Sequence, residues 1–197
     1  MNPPIPDGDD HLREDPLGSE QVFKGKLLDV RRDSVRLPDG STATREYIKH
    51  SGAVLVVPIL DDGSLVVERQ YRYPLSKVML EFPAGKIDPG ESTLTCAVRE
   101  LAEETGYTAA EWARAGLLNN AIAYSNEGIE IWFARGLTRG EQVLDAGEFL
   151  DVHTATFDEL MAMSQRGEIT DAKTLIALLW LQNWQSGRWT LDWRPAP

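Results

Sequence analysis

Cysteine is nearly missing from this chain: Cys96 stands alone among 197 residues. An intramolecular disulfide is impossible, and a reducing cytoplasm is the simplest expected compartment. No histidine lies near Cys96 in the sequence, so it reads as a small packing residue and not as a catalytic thiol. Positive charge is also scarce. Lys and Arg number 20 against 31 Asp and Glu, giving a net charge of −11 and a pI near 4.7, which argues against a nucleic-acid backbone or an anionic membrane as partner. No apolar run approaches the roughly 18 residues that suggest a membrane span, and the N-terminus lacks the apolar core of a signal peptide. What is present, 42% apolar residues, suffices for a core in one domain of ordinary size plus an appendage.

Residues 1–18 are rich in Pro, Asp and Gly and are expected to form a disordered tail. Residues 21–36 read as a strand pair or one bent strand. Pro38-Asp39-Gly40-Ser41 is a turn signal leading into a strand at 42–48, which gives a hairpin. Residues 53–60 are apolar throughout, as in a strand buried on both faces. Further strands are expected at 65–71, 79–82, 113–121, 129–134 and 149–156. Helices are expected from a Ser92 cap onward, at 157–166 and at 171–184. Strands followed by a helix, twice over, suggest an α/β sandwich with a mixed sheet.

The most informative stretch runs Gly85-Lys86-Ile87-Asp88-Pro89-Gly90-Glu91 and then Arg99-Glu100-Leu101-Ala102-Glu103-Glu104-Thr105-Gly106-Tyr107. At about 100° per residue, Glu100, Glu103 and Glu104 project from one edge of a helix. Leu94, Ala97, Val98 and Leu101 form an adjacent apolar stripe that already satisfies amphipathicity. Clustered like charges are destabilising unless a cation sits among them. Carboxylate oxygens suit a hard divalent ion, chiefly Mg²⁺, which usually brings a substrate phosphate with it.

The spacing from Gly85 through Glu91 to Arg99-Glu100 and Glu103-Glu104-Thr105-Gly106 matches the Nudix box at every fixed position; only Tyr107 stands where the pattern has an aliphatic residue. The chain thus resembles Nudix hydrolases, which split nucleoside diphosphates linked to another moiety, with Mg²⁺ or Mn²⁺, by attack of water on a phosphorus. The resemblance implies that Glu100 and Glu104 are metal ligands and that Glu103 is a further ligand or acts through water. It also implies that the Ala84 carbonyl reaches a metal, with Glu91 and Arg99 in support. The fold it implies is an α/β/α sandwich with a mixed sheet. Residues 51–197 would be the hydrolase domain and residues 19–50 a small N-terminal hairpin region used for dimerisation.

Flanking segments look like the ADP-ribose pyrophosphatase branch: Glu68-Arg69-Gln70-Tyr71-Arg72-Tyr73-Pro74, Leu80-Glu81-Phe82-Pro83-Ala84-Gly85-Lys86-Ile87-Asp88, Thr44-Arg45-Glu46-Tyr47, and Gly167-Glu168-Ile169-Thr170-Asp171-Ala172-Lys173-Thr174. Arg72 and Arg45 match arginines that contact the diphosphate or terminal ribose, and guanidinium forks suit paired phosphate oxygens. From its neighbours alone, Arg72 also reads as an ion-pair partner of Glu68 or Glu81. Three glutamates compete as general base: Glu148 in Gly147-Glu148-Phe149, Glu127 in Tyr124-Ser125-Asn126-Glu127, and Glu103. The branch's proline just before Ser125 is missing, with Ile122-Ala123-Tyr124 in its stead. The expected protein is a cytoplasmic homodimer that hydrolyses ADP-ribose to AMP and ribose 5-phosphate, with neither nucleic acid nor membrane as partner. The alternatives are another nucleotide sugar or dinucleotide, such as GDP-mannose or NADH, or a non-catalytic module that binds ADP-ribose. Phe23 or Tyr47 is expected to supply an adenine platform, and Trp180, Trp184, Trp189 and Trp193 packing or dimer contacts.

Overall fold

A computed structural model describes residues 8–197. The chain divides into two units: the chain up to His50 together with Ala121–Glu127, and Ser51–Asn120 together with Gly128–Pro197.

The first unit is built on a three-stranded antiparallel sheet, β1 (Asp15–Lys24), β2 (Asp29–Arg36) and β3 (Thr42–Ile48), in that order. The turn between β2 and β3 is held by Asp39, whose carboxylate accepts from the Ser41 N–H at 2.9 Å. The strand pair read over residues 21–36 is β1 with β2, and β3 pairs with β2 to complete a sheet one strand larger than the expected hairpin region. One expectation is corrected here. The tail expected over residues 1–18 is already a strand from Asp15, preceded by a helical turn at Asp10–Leu12; residues 1–7 lie outside the described residues. Only the second half of β1 falls within the strands read over residues 21–36, and every one of its side chains is exposed. Its pairing to β2 relies on the backbone ladder and on opposed charges such as Glu20 across from Arg32. Pro16 is tolerated because β1 is an edge strand with a register shift between Pro16 and Gly18.

The second unit is an eight-stranded mixed sheet: β4 (Ala53–Ile59), β5 (Leu65–Arg72), β6 (Lys77–Glu81), β7 (Ala84–Lys86), β8 (Tyr107–Asn119), β9 (Gly128–Arg139), β10 (Leu150–Ala155) and β11 (Trp193–Pro195). The order is β10-β5-β4-β9-β8-β11, with β6 beside β5 and β7 beside β4. β4 and β9 are parallel; the other pairs are antiparallel. Three helices cover it, α1 (Thr93–Thr105), α2 (Phe157–Gln165) and α3 (Ala172–Gln185). Their N-caps are Ser92, Thr156 and Asp171.

Alternation along β4 serves both faces. Val54 and Val56 pack with Cys96, Ala97 and Leu101 of α1 and with Trp112 and Trp132. Leu55 and Val57 pack with Leu160 of α2 and with Ala177, Leu178 and Leu181 of α3. The result is the expected α/β/α sandwich. Cys96 is a core residue: burial pushes its thiol up to about 12, and its S–H donates to the Lys86 carbonyl at 3.3 Å. The C-terminal tryptophans pack on one another, Trp180 with Trp189 and Trp184 with Trp193. Among the described residues, no helix is long and apolar enough to cross a membrane.

Candidate active site

α1 buries Cys96, Ala97 and Leu101 against the sheet, which turns the neighbouring edge, Glu100 and Glu104, toward β7. Both glutamates are nearly buried, at 9% and 3% exposure. Glu104 accepts from the Ala84 N–H at 2.9 Å. Glu100 lies so close to Gly85 that a Cβ there would sit 1.9 Å from its carboxyl carbon; glycine is required by the approach of a carboxylate. Arg99 gathers the edge together. Its guanidinium donates to Glu91 through Nε and Nη2, both at 3.0 Å, and through Nη1 to Glu100 at 2.8 Å and Glu103 at 3.0 Å. That contact holds the Glu91 carboxyl down at about 2.

The facing wall comes from β5 and β6. Glu68, Gln70 and Arg72 alternate onto one face of β5, and Glu81 of β6 stands opposite Glu68. Arg72 grips Glu81 as a fork, with Nε at 2.8 Å from one oxygen and Nη2 at 2.9 Å from the other. Lys173, at the start of α3, also donates to Glu81. Burial pushes Glu81 up, but Arg72 and Lys173 outweigh it and keep the carboxyl below its usual range. Gln70 donates to Glu148 at 3.2 Å. That link follows from the strand pairing, which sets Leu150 of β10 directly across from Gln70.

Glu68 is the residue that sequence reasoning passed over. It is fully buried, and neither of its oxygens has a hydrogen-bond partner. Burial, then the charge of Glu81, raises its pKa. The available signal was the abrupt charge after the apolar Leu65-Val66-Val67 of a strand. Burial likewise raises Glu104, and the charges of Glu68, Glu100 and Glu148 add to it. Glu100 is also raised, again by burial foremost, against the opposing pull of Arg99. Thus Arg72, Ala84, Glu91, Arg99, Glu100, Glu103, Glu104 and Glu148 all belong to the second unit. Arg45 and Glu127 belong to the first. There Arg45 pairs with Glu14, and Glu127 lies 3.7 Å from His50. Phe23 is half exposed, and the Tyr47 hydroxyl donates to Asp33 at 3.2 Å.

Residues 49–178 match the NUDIX domain, and residues 14–48 match the nucleoside diphosphate sugar hydrolase N-terminal domain. The chain belongs to the Nudix family. It is 36% identical to an ADP-ribose pyrophosphatase of Bacillus subtilis over 87% of this chain and 94% of that protein. It is 37% identical to a methanol dehydrogenase activator of Bacillus methanolicus over the same shares. A crystal structure of an ADP compounds hydrolase superposes with a TM-score of 0.81 at 28% identity, covering 90% of this chain and 97% of that one.

The Nudix site fits a divalent cation by the chemistry of its donors. Four carboxylates, Glu68, Glu100, Glu104 and Glu148, act on one another electrostatically, and Glu68, the most deeply buried of them, has orphaned oxygens. Buried carboxyl groups in this state ionise only where compensating positive charge is supplied. Among the described residues, no three acidic, His or Cys side chains converge as a finished cage. Arg99 takes up oxygens of Glu100 and Glu103, and the Ala84 N–H takes one of Glu104.

Proposed function

We propose that this Nudix hydrolase cleaves ADP-ribose to AMP and ribose 5-phosphate. The supporting observation is the edge of buried, mutually repelling carboxylates on α1, faced by an arginine fork on β5. The name of the Bacillus subtilis relative points to ADP-ribose as substrate, and that of the structural neighbour to an ADP compound. Glu100, Glu104 and the Ala84 carbonyl would hold the metal, with Glu103 as a further ligand, Mg²⁺ as the expected ion and Mn²⁺ as a substitute. When bound, the ions supply charge neutralisation of the diphosphate and acidification of the attacking water.

The protein's own groups do the rest. Arg72 offers its guanidinium to diphosphate oxygens. Arg99, locked to Glu91, orients Glu100 and Glu103. Glu148, steadied by Gln70, accepts the proton of the water that attacks phosphorus, as the bridging P–O bond breaks and the departing phosphate oxygen carries off the electron pair. Arg45 is the proposed second arginine for substrate. The active form is a homodimer in which the N-terminal sheet supplies the adenine platform through Phe23 or Tyr47.

Product analysis against ADP-ribose, GDP-mannose and NADH tests this reading. AMP and ribose 5-phosphate from ADP-ribose, at the highest kcat/KM of the three, are expected. A higher kcat/KM on either other compound would move the substrate assignment, and tight ADP-ribose binding without hydrolysis at any Mg²⁺ concentration would remove the catalytic one. A related expectation concerns Gly85→Ala. The added methyl would displace the Glu100 carboxylate, so kcat should fall by more than about tenfold, as misplacement of a catalytic group does. Steady-state kinetics and a circular dichroism spectrum would check that the loss occurs in a folded protein.

A further inference from the structure

The segment Asp171-Ala172-Lys173-Thr174 resembles the family branch but has no part in the chemistry above. Its side chains nonetheless run toward the substrate arginine. The Asp171 carboxylate caps α3 by accepting from the Thr174 N–H at 2.9 Å, and it lies 3.0 Å from the Lys173 ammonium. Lys173 donates to the same Glu81 oxygen that receives Arg72 Nη2. The Thr174 hydroxyl accepts from the Phe82 N–H at 3.2 Å, fixing the residue next to Glu81. Glu81 is 2% exposed and Lys173 14%, whereas Arg72 at 36% opens to solvent. The chain of contacts therefore starts in the first turn of a helix, passes through the buried Glu81 and ends on a guanidinium with access to solvent.

We propose that Lys173 is a positioning residue for Arg72, acting through Glu81, so that the guanidinium edge not taken by Glu81 stands ready for the substrate diphosphate. Stability alone gives a weak reason for this arrangement. Buried ion pairs are often replaceable by apolar side chains without loss, and α3 is already anchored by Ala177, Leu178 and Leu181. A carboxylate held by Arg72 alone would move with it. A carboxylate also held from behind by Lys173 fixes the plane of the fork, and a preformed fork loses less freedom when substrate binds. The inference rests on the reading of Arg72 as a substrate contact.

The test is steady-state kinetics of the full-length, Mg²⁺-loaded enzyme on ADP-ribose, with Arg72→Ala, Lys173→Met, Lys173→Arg and the Arg72→Ala/Lys173→Met double variant. Lys173→Met should raise KM about tenfold, as loss of a pre-set charged contact does, with a smaller fall in kcat. Lys173→Arg should recover most of that loss, and the double variant should be no worse than Arg72→Ala alone. Should Arg72→Ala raise KM while Lys173→Met does not, or should the two effects simply multiply, the positioning role is overturned and the Arg72 reading survives. An unchanged KM in Arg72→Ala removes both. If Lys173→Met does not fold, Glu81→Gln probes the same link without emptying the site; an unchanged KM there also overturns the proposal.

Discussion

Glu104→Gln is expected to lose about a thousandfold in kcat at saturating Mg²⁺, the scale on which removing a charge-stabilising group acts, while the metal-free protein gains several degrees in thermal midpoint at pH 8. Both effects come from one cause. Glu104 is 3% exposed, and its pKa stands above the ordinary 4.5 because of burial first and then the charges of Glu68, Glu100 and Glu148. The folded state thus holds a proton that the unfolded chain releases. Stability of the metal-free protein falls as pH climbs from about 4.5 toward the raised value. Glutamine has no proton to lose, and its amide oxygen still accepts from the Ala84 N–H, so the substitution removes the penalty and keeps the bond. Mg²⁺ should raise the wild-type midpoint more at pH 8 than at pH 6, because the ion favours the ionised carboxylate, and should move that of Glu104→Gln far less. Thermal unfolding with EDTA and with Mg²⁺ at the two pH values reads all of this. A variant that kept most of the wild-type kcat, or melted lower than wild type in EDTA at pH 8, would sink the assignment of Glu104 as a charge held for a cation.

The glutamate edge was legible in sequence because its geometry is local. Helical spacing puts Glu100, Glu103 and Glu104 on one edge, and Ser92 caps the helix where its residue type suggested. The uniformly apolar residues 53–60 gave β4 for a similar reason: a strand between two helical layers must be apolar on both faces. What sequence did not give is what distant segments impose. The three-residue β7 and β11 are too short to carry any pattern. The first half of β1, with Pro16 and Gly18 in it, carries no strand pattern. Glu68 looked like one more charge at the end of a strand, and its isolation emerges only when β6 and the first turn of α3 close around it. The partner of Arg72 was narrowed to Glu68 or Glu81 from spacing. The choice of Glu81 is made by the fork and by Lys173, 92 residues further along the chain.

Glu148→Gln is expected to lower kcat by about a hundred- to ten-thousandfold, the range for removal of a general base, with KM for ADP-ribose little altered. The loop before Glu148 is tied to α1 at two points. Gln142 donates to the Glu104 carbonyl at 2.6 Å, and the Val143 N–H donates to the Glu103 carbonyl at 3.2 Å. Beyond the loop, β10 pairs with β5, and Gln70 donates to the Glu148 carboxylate. A carboxylate fixed from both sides of its loop, whose charge is felt by Glu68, Glu100 and Glu104, is suited to receive a proton at the diphosphate. Glu103 is less suited, because Arg99 already takes its Oε2 at 3.0 Å. The Glu127 carboxylate is set against the His50 imidazole at 3.7 Å. Glu127→Gln should therefore keep kcat within about threefold of wild type, a change too small for a lost base, and Glu103→Gln should fall between the two. Full turnover in Glu148→Gln with loss in Glu127→Gln would transfer the role of base to the glutamate of the first unit.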